Sequence, residues 1–507
     1  MKDDQPVANG DHAGRTAAND QPAGPDDSGE RLLALERARD PQGNEKTRPP
    51  DDEVVTFRSM TVVEMYAGQA IDSMKGGLAT IEWRNCDPPI VDRIVEAQKG
   101  YTYSRGDFWL AQAPSSVGSL VQGGITSLPG PFSRIYGTYY VLGPSLVALV
   151  LTFVLDDEAS RRVDAALRHD AESRLDQLGG STFSIKSVLQ VKKERIRSIR
   201  NNIGQRCELW IKGAMPGTLS AIQEGLGMPT CALVGLARGV PFETNAEYMA
   251  LLDLRNEFLA KRFVDPDFLF LAYPLDSEPN NLMLGAFNEG EAIAQQWVSD
   301  TSATPERFHE AISSSMIADG IYAVLLSYEP KLREVRRELN LLDFGEATGQ
   351  EVTALRNRLL GISRDISTVC SDVTILVNDA FVIWSDLYPV TLLKTKGRSS
   401  RGEETADTKR RQLRAAVTSL ESQESSLREL ILISTASTTE TRNLELQVKV
   451  LDLTKQLSAL TTWLFVLTFV LVILGVAALL VQILHTPVVQ VQLPTPSHSA
   501  PSTTTKP

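Results

Sequence analysis

The chain has 507 residues, of which 42% are hydrophobic and 22% are charged, and its formal net charge is −12. This length and composition allow about two to three domains with real hydrophobic cores, which excludes a mainly disordered protein. The acidic balance argues against nucleic acid as a partner.

The first segment, residues 1–53, is acidic and rich in Asp, Pro, Gly, Ala and Asn. Such a segment buries too little apolar surface to offset its ordering entropy, so it is predicted to be a disordered tail with one short helical patch at 30–39. No apolar run follows its first positive charge, so no cleaved secretory signal is predicted.

Residues 54–158 are predicted to form an α/β domain. Runs rich in β-branched and aromatic residues indicate strands at 54–63, 78–83 and 107–113. An Asp-Pro-Pro start followed by apolar residues at helical spacing indicates a helix at 90–98. The alternation of the two patterns favours a βαβ-type arrangement.

The stretch 135–155 is apolar enough to allow two interpretations. It is rich in Tyr, Val, Thr and Phe, has a Gly-Pro-Ser turn in its middle, and ends abruptly at Asp156, Asp157 and Glu158. These features favour two buried strands over a second membrane span. The acidic trio is interpreted as the capped start of a helix, in preference to a metal site.

Residues 159–348 are predicted to be a mixed, mainly helical remainder of the globular body. Within them, 186–212 reads as a basic amphipathic helix. One interpretation is that Lys192, Lys193 and Arg195 contact anionic lipid headgroups or the acidic tail. The alternative is a solvated basic face above an apolar stripe.

Residues 350–459 are predicted to form a coiled-coil hairpin and a stalk, because apolar residues recur there at alternating spacings of four and three. The first seam consists of Leu355, Leu359, Ile362, Ile366, Val369, Val373, Leu376, Ala380, Ile383 and Leu387. The second consists of Leu413, Val417, Leu420, Leu427 and Ile431, with Glu424 among them. The polar loop between the two runs favours antiparallel helices, and the polar stretch 434–441 is interpreted as a hinge.

Past this stretch, the stalk carries two apolar stripes. The longer one includes Leu446, Val450, Leu453 and Leu457, and the shorter one is Leu444, Val448 and Leu451. A helix with one partner needs only one stripe, so the stalk is predicted to assemble a homo-oligomer of at least three chains.

A transmembrane helix is predicted at 460–484, since no charged residue occurs there and the length suffices to cross a bilayer. Its anchor residues include Trp463, Leu474 and Val481. Basic residues precede this single span and only Lys506 follows it, which favours a cytoplasmic N-terminal body. Residues 485–507 are predicted to be a disordered tail rich in Pro, Ser and Thr.

Motifs for catalysis or cofactor binding are missing from the sequence. The five histidines form no H-E-x-x-H pair, and no nucleophile elbow, phosphate-binding loop or kinase signature occurs. Cys86, Cys207, Cys231 and Cys370 lie far apart, which fits a reducing compartment without a metal or redox motif. Neither a cofactor nor an enzymatic activity is predicted.

The run 442–457, RNLELQVKVLDLTKQL, which leads into the span, resembles the stalk entry of CorA-type magnesium channels. The resemblance implies an oligomeric funnel with a cytosolic α/β body. The Gly-Met-Asn signature that follows the first span in that family is absent, and no second span follows residue 484. No pore or ion-site residue is therefore carried over.

The sequence thus predicts an α/β cytosolic body, a long antiparallel α-helical coiled-coil hairpin and one C-terminal transmembrane helix. The predicted function is that of a single-pass, membrane-anchored scaffold or sensor with an oligomerising stalk. A divergent CorA-like cation transport subunit is the first alternative, and an enzyme without a recognisable signature is the second.

Overall fold

A computed structural model describes residues 27–80, 90–100, 103–112, 130–179, 182–222, 227–242, 246–255, 260–263, 269–272, 282–296, 304–341, 349–378, 390–392 and 405–485. The chain divides into two compact units. The first comprises Met1–Leu342 and Thr353–Glu429, and the second comprises Asp343–Val352 and Leu430–Pro507.

The strands and helices are numbered in chain order. The strands are β1 (Val55–Ala67), β2 (Ser104–Gln112), β3 (Phe132–Gly143), β4 (Leu146–Leu155), β5 (Arg174–Gly179), β6 (Thr182–Lys186), β7 (Thr230–Leu236), β8 (Ala260–Phe263), β9 (Leu269–Ala272), β10 (Leu282–Asn288) and β11 (Val390–Leu392). The helices are α1 (Asp27–Arg37), α2 (Asp40–Thr47), α3 (Ala70–Thr80), α4 (Ile90–Gly100), α5 (Asp157–Ser160), α6 (Arg162–Arg168), α7 (Val188–Ala214), α8 (Glu247–Leu251), α9 (Glu289–Ala294), α10 (Thr304–Leu341), α11 (Gly349–Asn378) and α12 (Thr405–His485).

Within the described residues, nine strands form one mixed sheet in the order β11-β8-β9-β10-β7-β1-β4-β3-β2, and β5 and β6 form a separate hairpin. Strand β1 is antiparallel to both of its neighbours, β4 and β7. The β7–β10 pair is parallel. The sequence is therefore right in predicting an α/β body, but the βαβ prediction for 54–158 is wrong, because β1 to β4 pair only in antiparallel fashion.

The apolar stretch 135–155 forms β3 and β4, which pair across the Gly143–Ser145 turn. Every residue of β4 is buried. This confirms the prediction of two buried strands and excludes the alternative of a second span there.

Helices cover both faces of the sheet at its centre, and the alternation of side chains along β1 shows how. Val63 and Met65 face α10, where a Cβ on Gly320 would come within 3.0 Å of each of them. Met60 points to the other face, next to Gly204 of α7. Burial on both faces explains why this strand reads as a nearly continuous apolar run.

The sheet crosses the predicted domain boundary at residue 158, since it joins β1–β4 to β7–β10. It also takes in β11, which comes from the predicted polar loop between the long helices and pairs with β8. Pairing of distant strands leaves no local sequence signal, so the sequence pattern predicts a domain boundary between strands that belong to one sheet.

The segment predicted to be a disordered tail contains two helices, α1 and α2. Asp40 accepts hydrogen bonds from the backbone and hydroxyl of Ser173, at 2.9 and 2.6 Å. Asn44 exchanges two hydrogen bonds with the backbone of Ala171, at 2.8 and 2.9 Å. Polar contacts with a distant loop therefore hold α2 in place, which the composition of this helix does not predict.

Helix α10, most of α11 and the first part of α12 belong to the first unit, and apolar seam residues of α11 and α12 are buried there. Leu359, Ile366 and Val373 of α11 are buried, as are Leu413 and Leu420 of α12. Other members of the predicted seam, Ala380, Ile383 and Leu387, lie outside the described residues. The stretch 434–441, interpreted as a hinge, is helical throughout.

Polar contacts connect these helices with each other and with the sheet. Ser363 of α11 donates a hydrogen bond to Glu424 of α12, and Arg414 of α12 donates to Asn378 at 3.1 Å. Arg358 of α11 donates to Glu334 and Glu338 of α10 at 2.7 and 2.6 Å. Asp372 of α11 accepts from the backbone N–H and the hydroxyl of Ser145, at 2.9 and 2.5 Å.

Smaller differences concern the first hundred residues. The predicted strand at 78–83 begins in the last turn of α3, and the rest of it lies outside the described residues. The predicted helix at 90–98 is confirmed as α4.

Two helical stretches within the described residues are long and apolar enough to cross a membrane. In Pro305–Leu341, 78% of the most apolar window is buried, so this helix is the core of the sheet domain. In Leu446–Val470 none of that window is buried. The second stretch indicates membrane association.

Candidate functional site

The predicted anchor residues lie in α12. Trp463 is 72% exposed, and it is surrounded in sequence by other exposed apolar side chains. Leu474 and Val481 belong to the same helix, but their side chains lie outside the description. The hydroxyls of Thr461, Thr462 and Thr468 donate to the carbonyls four residues earlier, so these polar groups enter the apolar stretch already hydrogen-bonded.

The predicted stalk residues Leu446, Val450, Leu453 and Leu457 are all exposed. Val448 and Leu451 of the shorter stripe are exposed as well. A contiguous apolar surface of this kind is typical of an interaction site or of contact with lipid.

Basic residues of α7 make contacts with other residues of the fold. Lys192 is fully buried and donates to the carbonyl of Leu167 at 2.9 Å. Lys193 lies 2.9 Å from the buried carboxylate of Asp253, and Arg195 lies 3.3 Å from His169. The interpretation that Lys192 contacts lipid is therefore wrong, because its side chain is fully buried and its ammonium group donates to a carbonyl of α6.

Asp253 is the centre of a buried ionic cluster. It is 1% exposed, and its backbone has a φ of 60°, in the left-handed region. Arg200, only 3% exposed, donates to its carboxylate at 2.9 Å. Arg197 lies 3.8 Å away. Burial lowers the pKa of Arg200, and the charge of Asp253 opposes that change.

A cleft of about 940 Å³ lies at one end of the sheet. It is formed by the start of β1, the start of β3 and the end of β4, together with α5, α6 and the first turn of α10. The lining residues are Val54, Thr56, Arg58, Ser133, Arg134, Val154, Leu155, Asp156, Asp157, Ser160, Arg161, Asp164, Ala237, Glu289 and Pro305. Its volume is that of a site for a small molecule.

Two ion pairs form part of the wall of the cleft. Arg58 donates from Nε and Nη2 to Oε1 of Glu289, at 2.9 and 2.6 Å, and Thr56 donates to the same oxygen at 2.6 Å. Arg134 lies 2.7 Å from Glu306. Burial raises the pKa of Glu306, and Arg134 opposes that rise.

The turn from β4 into α5 lies at the rim of the cleft. Asp156 accepts a hydrogen bond from Ala159 N–H at 2.7 Å, which confirms the interpretation of the acidic trio as a helix start. Ser160 is 5% exposed, and its hydroxyl has no hydrogen-bond partner among the residues that the structure describes. Arg161 is exposed, and its side chain forms no ion pair or hydrogen bond with the described residues.

A chain of hydrogen bonds connects α10 to the sheet around His309. Thr138 donates to Asp107 at 2.5 Å, and its oxygen lies 2.7 Å from His309 Nε2. On the other side, Thr152 lies 2.7 Å from Nδ1 and 2.7 Å from Thr61. Because the Thr138 proton is committed to Asp107, Nε2–H donates to Thr138 and Nδ1 accepts from Thr152. Burial lowers the pKa of His309 to about 3, which fits this neutral tautomer.

A buried glutamate lies on the face of the sheet opposite His309. Glu64 of β1 accepts hydrogen bonds from the backbone N–H groups of Leu219 and Ser220, at 2.8 and 3.0 Å. Burial raises the pKa of Glu64 to about 7, and these hydrogen bonds oppose the rise. The carboxylate positions the loop that follows α7.

Within the described residues, no group of three or more His, Cys, Asp or Glu side chains is placed to hold a metal ion. The described cysteines are buried, and burial raises the pKa of Cys207, Cys231 and Cys370. A raised thiol pKa disfavours the reactive thiolate, so Cys370 is a small buried residue, as interpreted from the sequence. Cys86 lies outside the described residues.

The cleft was not predicted from the sequence. A signal was present, since Arg58 and Arg134 interrupt apolar strand patterns where a charge needs a partner or a role. Their partners, Glu289 and Glu306, come from a part of the chain more than 150 residues later, so the spacing of residues gave no indication that the four side chains meet.

No protein-family description, curated protein or solved structure matches this chain.

Proposed function

We propose that the protein is a single-pass, membrane-anchored scaffold or sensor. Its N-terminal body lies in the cytoplasm, and its stalk associates with further copies of the same chain. Residues 460–484 form the span, and residues 485–507 form a short tail on the other side of the membrane.

The continuity of α12 is the observation that carries this proposal. One helix of 81 residues contains both Leu413, Leu420 and Leu427, which are buried within the body, and the exposed apolar stretch Leu446–Val470. A helix that is apolar and unburied over so many residues needs lipid or protein around it. The first part of α12 thereby links the folded body to the membrane.

The contacts between α11 and α12 support the proposal of an antiparallel coiled-coil hairpin. Moving along α11 from Ser363 to Asn378, the partners on α12 move backwards from Glu424 to Arg414. The buried residues of both helices recur at spacings of three and four.

The two stripes on the stalk support self-association. Leu453 and Leu457 are as exposed as Val448 and Leu451 on the other stripe, and all four precede the proposed span. One partner covers one stripe, so at least three chains are expected around the axis.

Arg442, Lys449 and Lys455 on the same side of the span support a cytoplasmic body.

The anchor is tested with the full chain and a variant that ends after Thr461. The full chain should remain in membranes after alkaline carbonate extraction, and the shortened chain should become soluble. In sealed vesicles of known orientation, protease should reach the body only from the cytoplasmic face. Retention of the shortened chain in carbonate-washed membranes would contradict the proposed single span.

The stalk is tested by light scattering of the full chain in mild detergent. The mass should correspond to at least three chains, and Leu453→Glu should lower it, because the new carboxylate would have to be buried unpaired. Lys449→Glu is the matched control, since it changes a charge on the same helix at a position that is already polar. A mass of one chain, unchanged by Leu453→Glu, would contradict the oligomer.

A CorA-like cation transport subunit is the second candidate. The order of a mixed-sheet body, long helices and one helix that runs into an apolar stretch supports it. Flux of divalent cations into proteoliposomes containing the purified chain, absent from empty liposomes, would favour transport over the scaffold. An enzyme without a sequence signature is the third candidate, and the cleft is where its substrate would bind.

A further inference from the structure

We propose that the cleft at the end of the sheet binds a small organic anion, with its charged group held by Arg161, Arg58 and Ser160. This inference goes beyond the proposed scaffold, and it stands whether or not the stalk assembles, because the cleft lies within the first unit. The ligand carries either a carboxylate group or a phosphate ester group, and the rest of the ligand is apolar.

The size and walls of the cleft suit such a ligand. A volume of about 940 Å³ accommodates a small molecule with space for water. Val154, Leu155, Ala237 and Pro305 supply apolar surface on its walls. Sites of this kind combine apolar walls with a few convergent polar groups that fix orientation.

Most of the carboxylates around the cleft already have donors within the protein. Glu289 accepts three hydrogen bonds on one oxygen, from Thr56 and Arg58. Asp164 accepts from Val55 N–H at 3.1 Å and from Arg168 at 2.8 Å. Asp156 caps α5. Among the described residues, only the side chain of Asp157 in this lining has no partner, and it is exposed at the rim.

The unused groups that line the cleft are mainly donors. Arg161 forms no ion pair, and Nη1 of Arg58 makes no hydrogen bond with the described residues. The Ser160 hydroxyl is buried with no partner in the described part of the chain, which costs free energy unless a ligand or water satisfies it. Pro305 places the first turn of α10 at the same cleft, and the start of a long helix favours negative charge.

A cation is the alternative occupant, and the observations favour it less. Among the described residues that line the cleft, Asp157 is the one carboxylate with no ion pair or hydrogen bond to its side chain, and the described residues offer no cluster of metal ligands. Arg58 and Arg161 would both repel it. Two guanidinium groups with unused N–H donors match the geometry of a carboxylate or phosphate.

The experiment measures the melting temperature of the full chain in lipid nanodiscs with four matched probes. Benzoate and phenyl phosphate are anionic, benzamide is a neutral analogue of benzoate, and benzylamine is cationic. A ligand that binds only the folded state raises the melting temperature as its concentration rises. Benzoate and phenyl phosphate should do so, and benzamide and benzylamine should not.

Three variants and one control locate the effect in the cleft. Arg161→Gln should weaken binding of both anions about tenfold, as expected for the loss of a charge-assisted hydrogen bond. Ser160→Ala should weaken binding about two- to tenfold without lowering the melting temperature of the ligand-free protein, because the hydroxyl has no partner within the fold. Asp157→Asn should strengthen binding. Arg162→Gln is the matched control: Arg162 is exposed, pairs with Glu158 and does not line the cleft.

The proposal is overturned by any of three results. One is no concentration-dependent stabilisation by either anion. Another is stabilisation by benzamide or benzylamine equal to that by benzoate. The third is an equal loss of binding in Arg161→Gln and Arg162→Gln, which would place the anion outside the cleft. None of these results depends on oligomeric state, so they leave the scaffold proposal to its own tests.

Discussion

Replacement of Asp253 by Asn removes the charge at the centre of the buried ionic cluster and keeps the backbone in place. The residue has a φ of 60°, a conformation that Asn adopts at least as readily as Asp and that Ala adopts less readily. Asn also retains an oxygen that accepts from Arg200. The substitution therefore isolates the effect of the charge from that of backbone strain.

The expected loss of stability follows from the burial of Arg200. Its guanidinium is 3% exposed, and Asp253→Asn leaves it charged without a counter-ion. Removing one partner of a buried ion pair costs about 3–5 kcal/mol. Lys193 and Arg197 are partly exposed, so water solvates their charges, and losing their contact with Asp253 adds little to the loss of stability. A loss of about 3 kcal/mol is expected, because the Asn oxygen preserves one hydrogen bond.

The assay is urea unfolding of the full chain in detergent micelles, followed by circular dichroism, with the midpoint and slope compared between variants. Glu158→Gln, which breaks the exposed pair with Arg162, is the control and should change stability by at most about 0.5 kcal/mol. Asp253→Asn combined with Arg200→Met should be more stable than Asp253→Asn alone, since it removes the unpaired charge. A loss in Asp253→Asn no larger than in the control would refute this account of the cluster.

Three further predictions concern the bundle, the sheet and the anchor. Leu420→Ala, at a buried seam position, should lower the free energy of unfolding by about 2–4 kcal/mol, and Arg364→Ala, at an exposed position of α11, by at most about 0.5 kcal/mol; equal losses would contradict the seam. The pKa of His309 is lowered to about 3, so the unfolded chain binds a proton below about pH 6.5 that the folded chain does not, and stability should fall as pH decreases from there towards 3. The loss should be smaller in His309→Gln, and an identical pH profile would show that His309 is not buried in neutral form. Leu474→Arg should impair membrane insertion, since a charge at the middle of a span costs about 2.5–3.5 kcal/mol, and unchanged carbonate-resistant association would contradict the span.

Elements stabilised by their own residue pattern were predictable from the sequence. Strands β3 and β4 are rich in β-branched and aromatic residues around a Gly-Pro-Ser turn, and the sequence predicts them as a strand pair. The seam residues Leu359, Ile366 and Val373 were identified from their spacing and are buried. In each case, residues close to one another in the sequence carry the pattern that predicts the element.

Elements stabilised by distant partners were not predictable. Helix α2 has little apolar periodicity, and Asp40 and Asn44 are held by Ser173 and Ala171, more than 120 residues away. The local composition indicates a solvated tail because nothing nearby compensates its ordering entropy. Strand β11 is similar, since three residues join the sheet only because β8 offers an edge.

The cleft combines both cases. The sequence indicates correctly that Asp156 begins a helix, but it does not indicate that Arg161, five residues later, shares a cavity with Arg58. Strand β1 and the end of β4 meet there through their antiparallel pairing, which depends on the whole sheet. A site built at the end of a sheet is therefore visible only once the register of its strands is known.

The polar contacts of the long helices explain how the body holds α12 in one register. Apolar seams supply most of the stabilisation, but burial of apolar surface is non-directional and tolerates sliding by a heptad. The contacts of Asp372 with Ser145 and of Lys409 with Asp319 each join specific atoms on two elements. A slide of either helix by one heptad would re-form similar apolar contacts but would separate these polar pairs. The separated charges would be buried or half-buried, so the slid register is less stable. The same α10 that holds Lys409 begins at the cleft, so one element contacts both the first part of α12 and the cleft.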